Sequence, residues 1–288
     1  ETVLADCEIS VDEGWRNFRI PIGNGALGAP VRLDIEQPGE YMIGPCEFVP
    51  TSAQTRTSIV WVLIDTLRQD HVHCYGYERE TSPNIDAFRK DAILFTHLVP
   101  QSSLTKPSVA SMFSSTYPPT HGAEDGPEVV RAGLPNIATQ LNLAGYESRG
   151  ISSNINGQPK YNYGNEFNGW IDNDSTDKGM ADDKTIFDRA IEMLRFVQGR
   201  PSFLYIHAMG PHAPYAPPAP YDTRFIDRAQ LMMDTPDAAM GKYDGEIFYT
   251  DEQFGRFIAE MKTLGVYDES LILVTADHGE EFGEHGQM

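Results

Sequence analysis

Two short apolar runs, Ile59 to Ile64 (IVWVLI) and Leu271 to Thr275 (LILVT), break off at acids: Asp65 after the first, the triplet Asp277-His278-Gly279 after the second. Runs this apolar over so few residues suit strands buried on both faces. Carboxylates at their ends suit the mouth of an α/β sheet, where ligands bind. Between the two runs, strand patterns alternate with helical ones. Strands are expected at Ile59 to Ile64, Ile93 to Val99, Tyr146 to Ser152, Ser202 to Ala208 and Leu271 to Thr275. Helices are expected at Ser82 to Lys90, Pro107 to Ser115, Pro135 to Leu143, Asp183 to Val197 and Tyr243 to Leu264. Ser82 and Pro83 form a start signal, and Gly145 and Gly265 sit where helix ends call for a left-handed residue. This order predicts a doubly wound, mostly parallel sheet with helices on both faces and a ligand site beyond the strands' carboxyl ends.

Residues 1–55 read differently. Short alternating stretches (FRIPI, VRLDIE, YMIGPCEFV) separated by Gly, Pro and Asn predict part of a β-sandwich, joined through the polar linker TSAQTRT to an α/β domain over 56–288. The formal charge of -20 argues against a nucleic-acid partner, whose phosphates this surface would repel. An anionic ester would have to be drawn in by a local cation. No run reaches the length of a membrane span and no signal-peptide pattern is seen, but the chain starts at Glu1 and stops at Met288 within a motif, so a fragment cut at both ends is expected. Cys7, Cys46 and Cys74 fit no metal spacing; Cys7 with Cys46 could bridge or remain free thiols, and Cys74 reads as a small packed hydrophobe.

Asp65, Thr105, Asp277 and His278 together offer two carboxylates, a hydroxyl and an imidazole, a set able to hold a divalent cation. A threonine hydroxyl is a poor nucleophile until its pKa is lowered, and a metal does that. Thr105 also precedes Pro107 and the helical pattern SVASMFSS, so the helix N-terminus would favour negative charge there. His71, His73 and His121 read as hydrogen-bonded structural histidines. Asp244, Glu246 and Asp251 read as the solvated face of the helix whose apolar stripe includes Tyr243, Ile247, Phe254, Phe257 and Ile258.

Five segments in order, VLIDTLRQDHVHCYGY, SPNIDAF, TKPSVASMFSSTYPPTHG, FLYIHAMGPHAPY and VTADHGEEFGEHG, make the chain from about Ile59 onward resemble the sulfatase branch of the alkaline phosphatase superfamily. The resemblance implies a doubly wound α/β sheet with a metal site at the strand ends, and residues 1–55 look like the end of a small sandwich domain found before some bacterial members. Three departures matter. Where sulfatases carry C-x-P-x-R, with Cys or Ser oxidised to formylglycine, this chain has Thr105-Lys106-Pro107-Ser108-Val109. Threonine cannot become formylglycine and the arginine is missing, so the site resembles the phosphodiesterases and lipid-envelope phosphotransferases that use threonine directly. Where sulfatases pair Asp with Asn around calcium, Asp277 stands beside His278, which favours zinc or manganese and leaves calcium as the alternative. Thr66 stands where sulfatases usually have another ligating Asp.

By this resemblance Asp65, Asp277 and His278 are metal ligands and Thr105 is both ligand and nucleophile. His212 touches the anionic oxygens or protonates the leaving group, while Lys106 either offsets phosphate charge or is a solvated side chain. His285 stands behind the ligands or binds a second metal, a question left open because the family's next His or Lys would fall beyond Met288. The implied function is a metal-dependent hydrolase or transferase acting on phosphate or sulfate esters, carried by a glycan or a lipid headgroup, in the periplasm or outside the cell. The alternatives are a formylglycine-independent sulfatase or phosphonate ester hydrolase, and an inactive carbohydrate-binding or scaffolding protein. Strands that usually follow the DHG motif are absent, so this exact chain is expected to be unstable or inactive.

Overall fold

In the computed structural model, residues 56–124, 126–162, 166–172, 182–233 and 235–286 are described. Among them, five strands run in parallel: β1 (Ser58–Ile64), β2 (Glu147–Ser152), β3 (Gly169–Asp172), β4 (Ser202–Ala208) and β5 (Ser270–Thr275), in the order β3-β2-β4-β1-β5. The helices are α1 (Pro83–Arg89), α2 (Thr105–Ser114), α3 (Pro118–His121), α4 (Ile137–Leu143), α5 (Asp183–Val197) and α6 (Pro236–Thr263). Strand β1 pairs with β4 from Ile59↔Phe203 to Ile64↔Ala208 and with β5 from Ser58↔Ser270 to Leu63↔Thr275. That register brings the ends of β1, β4 and β5 level.

Alternation along the strands decides what each face covers. Val60, Val62 and Ile64 point with Leu204 and Ile206 into a core closed by Ile186 and Phe187 of α5 and Phe254 and Phe257 of α6. Ile59, Trp61 and Leu63 point the other way, with Phe203 and Tyr205, against Val109 and Phe113 of α2 and Ala138 of α4. The connection from β1 to β2 places α2 and α4 on one face, whereas the connection from β4 to β5 places α6 on the other. Loops that leave neighbouring strands toward opposite faces open a crevice at the carboxyl ends.

The expected strands at β1, β2, β4 and β5 form, and α5 runs from Asp183 to Val197 as its pattern predicts, capped by Asp182, which accepts from the Thr185 amide at 2.9 Å. Gly145 and Gly265 adopt φ of +84° and +69° at the ends of α4 and α6. Helix α6 begins at Pro236 instead of Tyr243, because Thr235 accepts from the Ala238 amide and Pro236 opens the helix. Helix α2 already includes Thr105, and α4 starts at Ile137 behind the Asn136 cap.

Residues 93–99 form no strand. Ile93 is 85% exposed and Phe95 67%, and no strand among the described residues offers them a ladder, without which an apolar alternation remains an extended loop. Strand β3, unexpected from the sequence, is four residues long and too short to leave a periodic signature. Asp244, Glu246 and Asp251 are buried, not solvated. Cys74 is a free, half-buried thiol packed at the core edge. No described helix is long and apolar enough to cross a membrane. The expected sandwich over 1–55 and the pairing of Cys7 with Cys46 lie outside the described residues.

Candidate metal-binding active site

Asp65 follows β1 directly, and its amide extends the ladder by donating to the Ala208 carbonyl at 2.9 Å. Thr66 then turns the chain with φ of +55°, so that its amide donates to Asp277 Oδ1 at 3.1 Å. The His278 amide donates to the same oxygen at 3.0 Å. On the other carboxylate, Asp65 Oδ2 accepts from Asn154 Nδ2 at 2.5 Å and from His207 Nε2 at 3.0 Å. Each aspartate thus has one oxygen fully engaged by the protein. The other oxygen of each, Asp65 Oδ1 and Asp277 Oδ2, is buried with no hydrogen-bond partner.

His278 is oriented to match. Its Nδ1 donates to the Gly279 carbonyl at 2.7 Å, which leaves the Nε2 lone pair facing inward. Nε2 lies 3.4 Å from Asp277 Oδ2, 3.9 Å from Asp65 Oδ1 and 3.2 Å from the Thr105 hydroxyl. Donor atoms around a tetrahedral zinc at its usual bond lengths stand about 3.3 Å apart, so this spacing fits a divalent ion. Among the described residues, Asp65, Asp277 and His278 form the cluster able to hold a metal.

The electrostatics point the same way. Burial opposes ionisation of Asp65, but the hydrogen bond and charge of His207, with His212 and His278, bring its pKa below the ordinary value. Asp277 is pushed up, first by burial and then by the Asp65 charge. Two buried carboxylates sharing too little positive charge are what a bound cation would relieve.

Thr105 opens α2 and is buried, with its hydroxyl at the helix N-terminus. Ser108, one turn on, donates to the Asp277 carbonyl at 2.6 Å and locks the helix to the loop after β5. Leu104, Thr105, Lys106, Pro107, Glu124, Asn156, His212 and His278 line a cavity of about 130 Å³. His212 therefore faces the same space as Thr105. Lys106 is buried, its amine donating to the Gly126 carbonyl and lying 4.4 Å from the Tyr161 ring centroid, so it is neither solvated nor free. His285 is exposed beside Glu281 and stands outside the cluster. The three histidines read as structural are so: His71 contacts Asp244 at 2.7 Å, His73 contacts Asp86 at 2.6 Å and His121 contacts Ser111 at 3.0 Å.

Sequence reasoning missed His207, Asn154 and Ser108. His207 had a signal, an imidazole inside an otherwise apolar strand (SFLYIHA), which needs a buried polar partner. Asn154 and Ser108 carried none, since both are ordinary residues of a loop and a helix.

A parallel sheet wound on both faces, with a hydroxyl, two carboxylates and an imidazole converging at its strand ends, is the architecture of the alkaline phosphatase-like class of α/β proteins. The family profile described as Sulfatase matches residues 57–287, and the chain belongs to the sulfatase family. It is 24% identical over 235 residues to an ulvan-active sulfatase of Formosa agariphila, covering 78% of this chain and 45% of that protein. It is 25% identical over 252 residues to the phosphatidylethanolamine transferase Mcr-2 of Escherichia coli, covering 79% and 44%. The C-terminal periplasmic domain of EcEptC from Escherichia coli, solved in complex with Zn, superposes with a TM-score of 0.63 at 17% identity, over 81% of this chain and 66% of that one. The chain spans about half the length of these two curated relatives.

Proposed function

We infer that the chain carries a metal-dependent site that cleaves or transfers phosphate esters through Thr105. The observation that carries this is the Thr105 hydroxyl 3.2 Å from His278 Nε2, beside two buried aspartate oxygens that no protein group satisfies. A divalent cation held by Asp65, Asp277 and His278 would supply the Lewis acidity that makes a hydroxyl acidic enough to react near neutral pH. Zinc or manganese suits the imidazole donor better than calcium, and the Zn-bound EcEptC domain shares the fold.

Thr105 Oγ1 attacks phosphorus as its proton departs to solvent, an O–P bond forms, and the bond from phosphorus to the leaving oxygen breaks. The amides of Thr105 and Lys106 at the start of α2 steady the phosphoryl oxygens. His212, across the cavity, donates a proton to the departing oxygen. Water or an acceptor alcohol then takes the phosphoryl group from threonine, which distinguishes a hydrolase from a transferase. Lys106 adds positive charge beside the cavity without leaving its carbonyl partner.

The test is turnover of aryl phosphomonoester, phosphodiester and sulfate ester with zinc, manganese or calcium added, in wild type and Thr105→Ala. Phosphate-ester turnover that vanishes in the variant supports the reading. Turnover of the sulfate ester alone, surviving Thr105→Ala, rejects it. The likeness to an ulvan-active sulfatase favours a second reading, in which the same hydroxyl attacks sulfur, and substrate ratios in that assay separate the two. A location outside the cytoplasm is part of the same proposal, and a reporter fusion would check it.

A further inference from the structure

Asp183, the first residue of α5, is buried and lies outside both the cavity lining and the ligand cluster. Its Oδ1 accepts from the Met209 amide at 2.8 Å and the Gly210 amide at 3.2 Å; its Oδ2 accepts from Gly210 at 3.1 Å and from the Thr250 hydroxyl of α6 at 2.5 Å. Met209 and Gly210 are the first two residues beyond β4. The Met209 carbonyl in turn accepts from the His212 amide at 2.9 Å, closing a tight turn. His212 Nδ1 donates to the Ala213 carbonyl at 2.5 Å, so Nε2 is the nitrogen left for the cavity. Gly210 permits this grip: a Cβ there would stand 1.9 Å from the Thr250 hydroxyl and 2.5 Å from Asp183 Oδ2.

We propose that Asp183, backed by Thr250, is the positioning residue for His212, holding the turn that sets how far the imidazole reaches toward the leaving oxygen. This rests on the role given to His212 above. A carboxylate with two oxygens can seat two adjacent amides and a hydroxyl at once, and no neutral side chain of that size offers as many acceptor sites. The turn leaves β4 with its backbone donors facing inward, and Asp183 is the acceptor they meet.

The test is a double-mutant cycle in the full-length, metal-loaded protein, read on two phosphate esters, one releasing a nitrophenol and one an alkyl alcohol. Proton delivery matters far more to an alkoxide than to a stable phenolate. His212→Ala should slow the alkyl ester roughly a hundredfold more than the aryl ester. Asp183→Ala should reproduce that substrate dependence, and the double variant should be no slower than His212→Ala alone. Asp183→Asn, which keeps one oxygen for both amides, should recover most of the alkyl-ester rate. Should Asp183→Ala fail to fold, Thr250→Val replaces it, with a smaller loss and the same preference. Equal slowing of both esters, or losses that multiply with those of His212→Ala, would overturn the positioning role while leaving the reading of His212 intact. No effect of His212→Ala on either ester rejects that reading and this proposal with it.

Discussion

Two sets of buried carboxylates among the described residues, one on α6 and one at the strand ends, are kept differently. On α6, Asp244 accepts from Tyr77 at 2.8 Å and Arg79 at 2.7 Å and contacts His71 at 2.7 Å; Asp251 accepts from the amides of Asn84 and Ile85, each at 2.8 Å. Every oxygen of these two acids has a partner. At the strand ends, Asp65 and Asp277 are at least as buried, yet each keeps one oxygen unmatched. Burial therefore does not separate the acids of α6 from those at the strand ends, whereas satisfaction does. An acid whose lone pairs are all spent on the protein holds loops together; one that withholds an oxygen has kept it for something the chain does not supply.

The largest effect should come from the reactive set. Thr105→Ala should lower kcat at least about a thousandfold with metal content, measured by mass spectrometry, unchanged. Asp277→Asn should lose both metal and activity, yet the metal-free variant should melt no lower than metal-free wild type, since its remaining oxygen still serves the Thr66 and His278 amides and a strained charge is gone. A clear drop in melting temperature there would erase the contrast. Next in size, Asp244→Ala should cost about 3 kcal/mol in denaturant unfolding, because it strands Tyr77, Arg79 and His71 together. A near-neutral result would mean that the α6 acids are not structural.

A smaller, sharper effect belongs to His207. Its removal leaves Asp65 Oδ2 held by Asn154 alone and should weaken zinc binding roughly tenfold to a hundredfold in a chelator competition titration. Unchanged affinity would show that the orientation of Asp65 is set elsewhere. The smallest concerns Glu246, which burial raises from 4.5 to about 8 although it accepts from the Ala216 amide at 2.9 Å. The folded state then holds a proton that the unfolded state releases, so its contribution to stability is full below about pH 4.5 and is lost as pH rises toward 8. Glu246→Gln should be almost neutral at pH 5 and stabilising by roughly 1–2 kcal/mol at pH 8.5 in thermal melts. An equal effect at both pH values would break the linkage.

How legible this was from sequence follows from the same physics. Strands β1, β4 and β5 and the four converging residues were readable because a continuous apolar run ending in ligand-type side chains suits a strand that opens onto a binding site, although β5 is not buried on both faces as its pattern predicts: it lies at the edge of the described sheet, with Leu271 and Leu273 exposed. The partition of the carboxylate oxygens was not, because it depends on Asn154, Thr66 and His207, which come from three different loops and strands. The α6 acids were misread although the arithmetic was present: at about 100° per residue, Asp244, Glu246 and Asp251 fall roughly 100°, 60° and 80° from Tyr243, on the flanks of the apolar stripe and not opposite it. Charge overrode angle in that reading. The segment 93–99 failed for the opposite reason, since its pattern asks for burial that no described neighbour provides.

Between Tyr243 and Asp251, α6 ties down the turn after β1, the segment around Tyr77, the start of α1 and the loop carrying His212. Tyr243 alone donates to the Thr66 carbonyl at 2.7 Å and accepts from the Arg68 amide at 2.8 Å. Fastened to one rod, these loops are poorly suited to swing shut individually over a guest. Variation in what such a site accepts would then arise most readily where this rod does not reach, along the rim around Leu104 and Glu124, which can change residue by residue while the carboxylate cluster stays still.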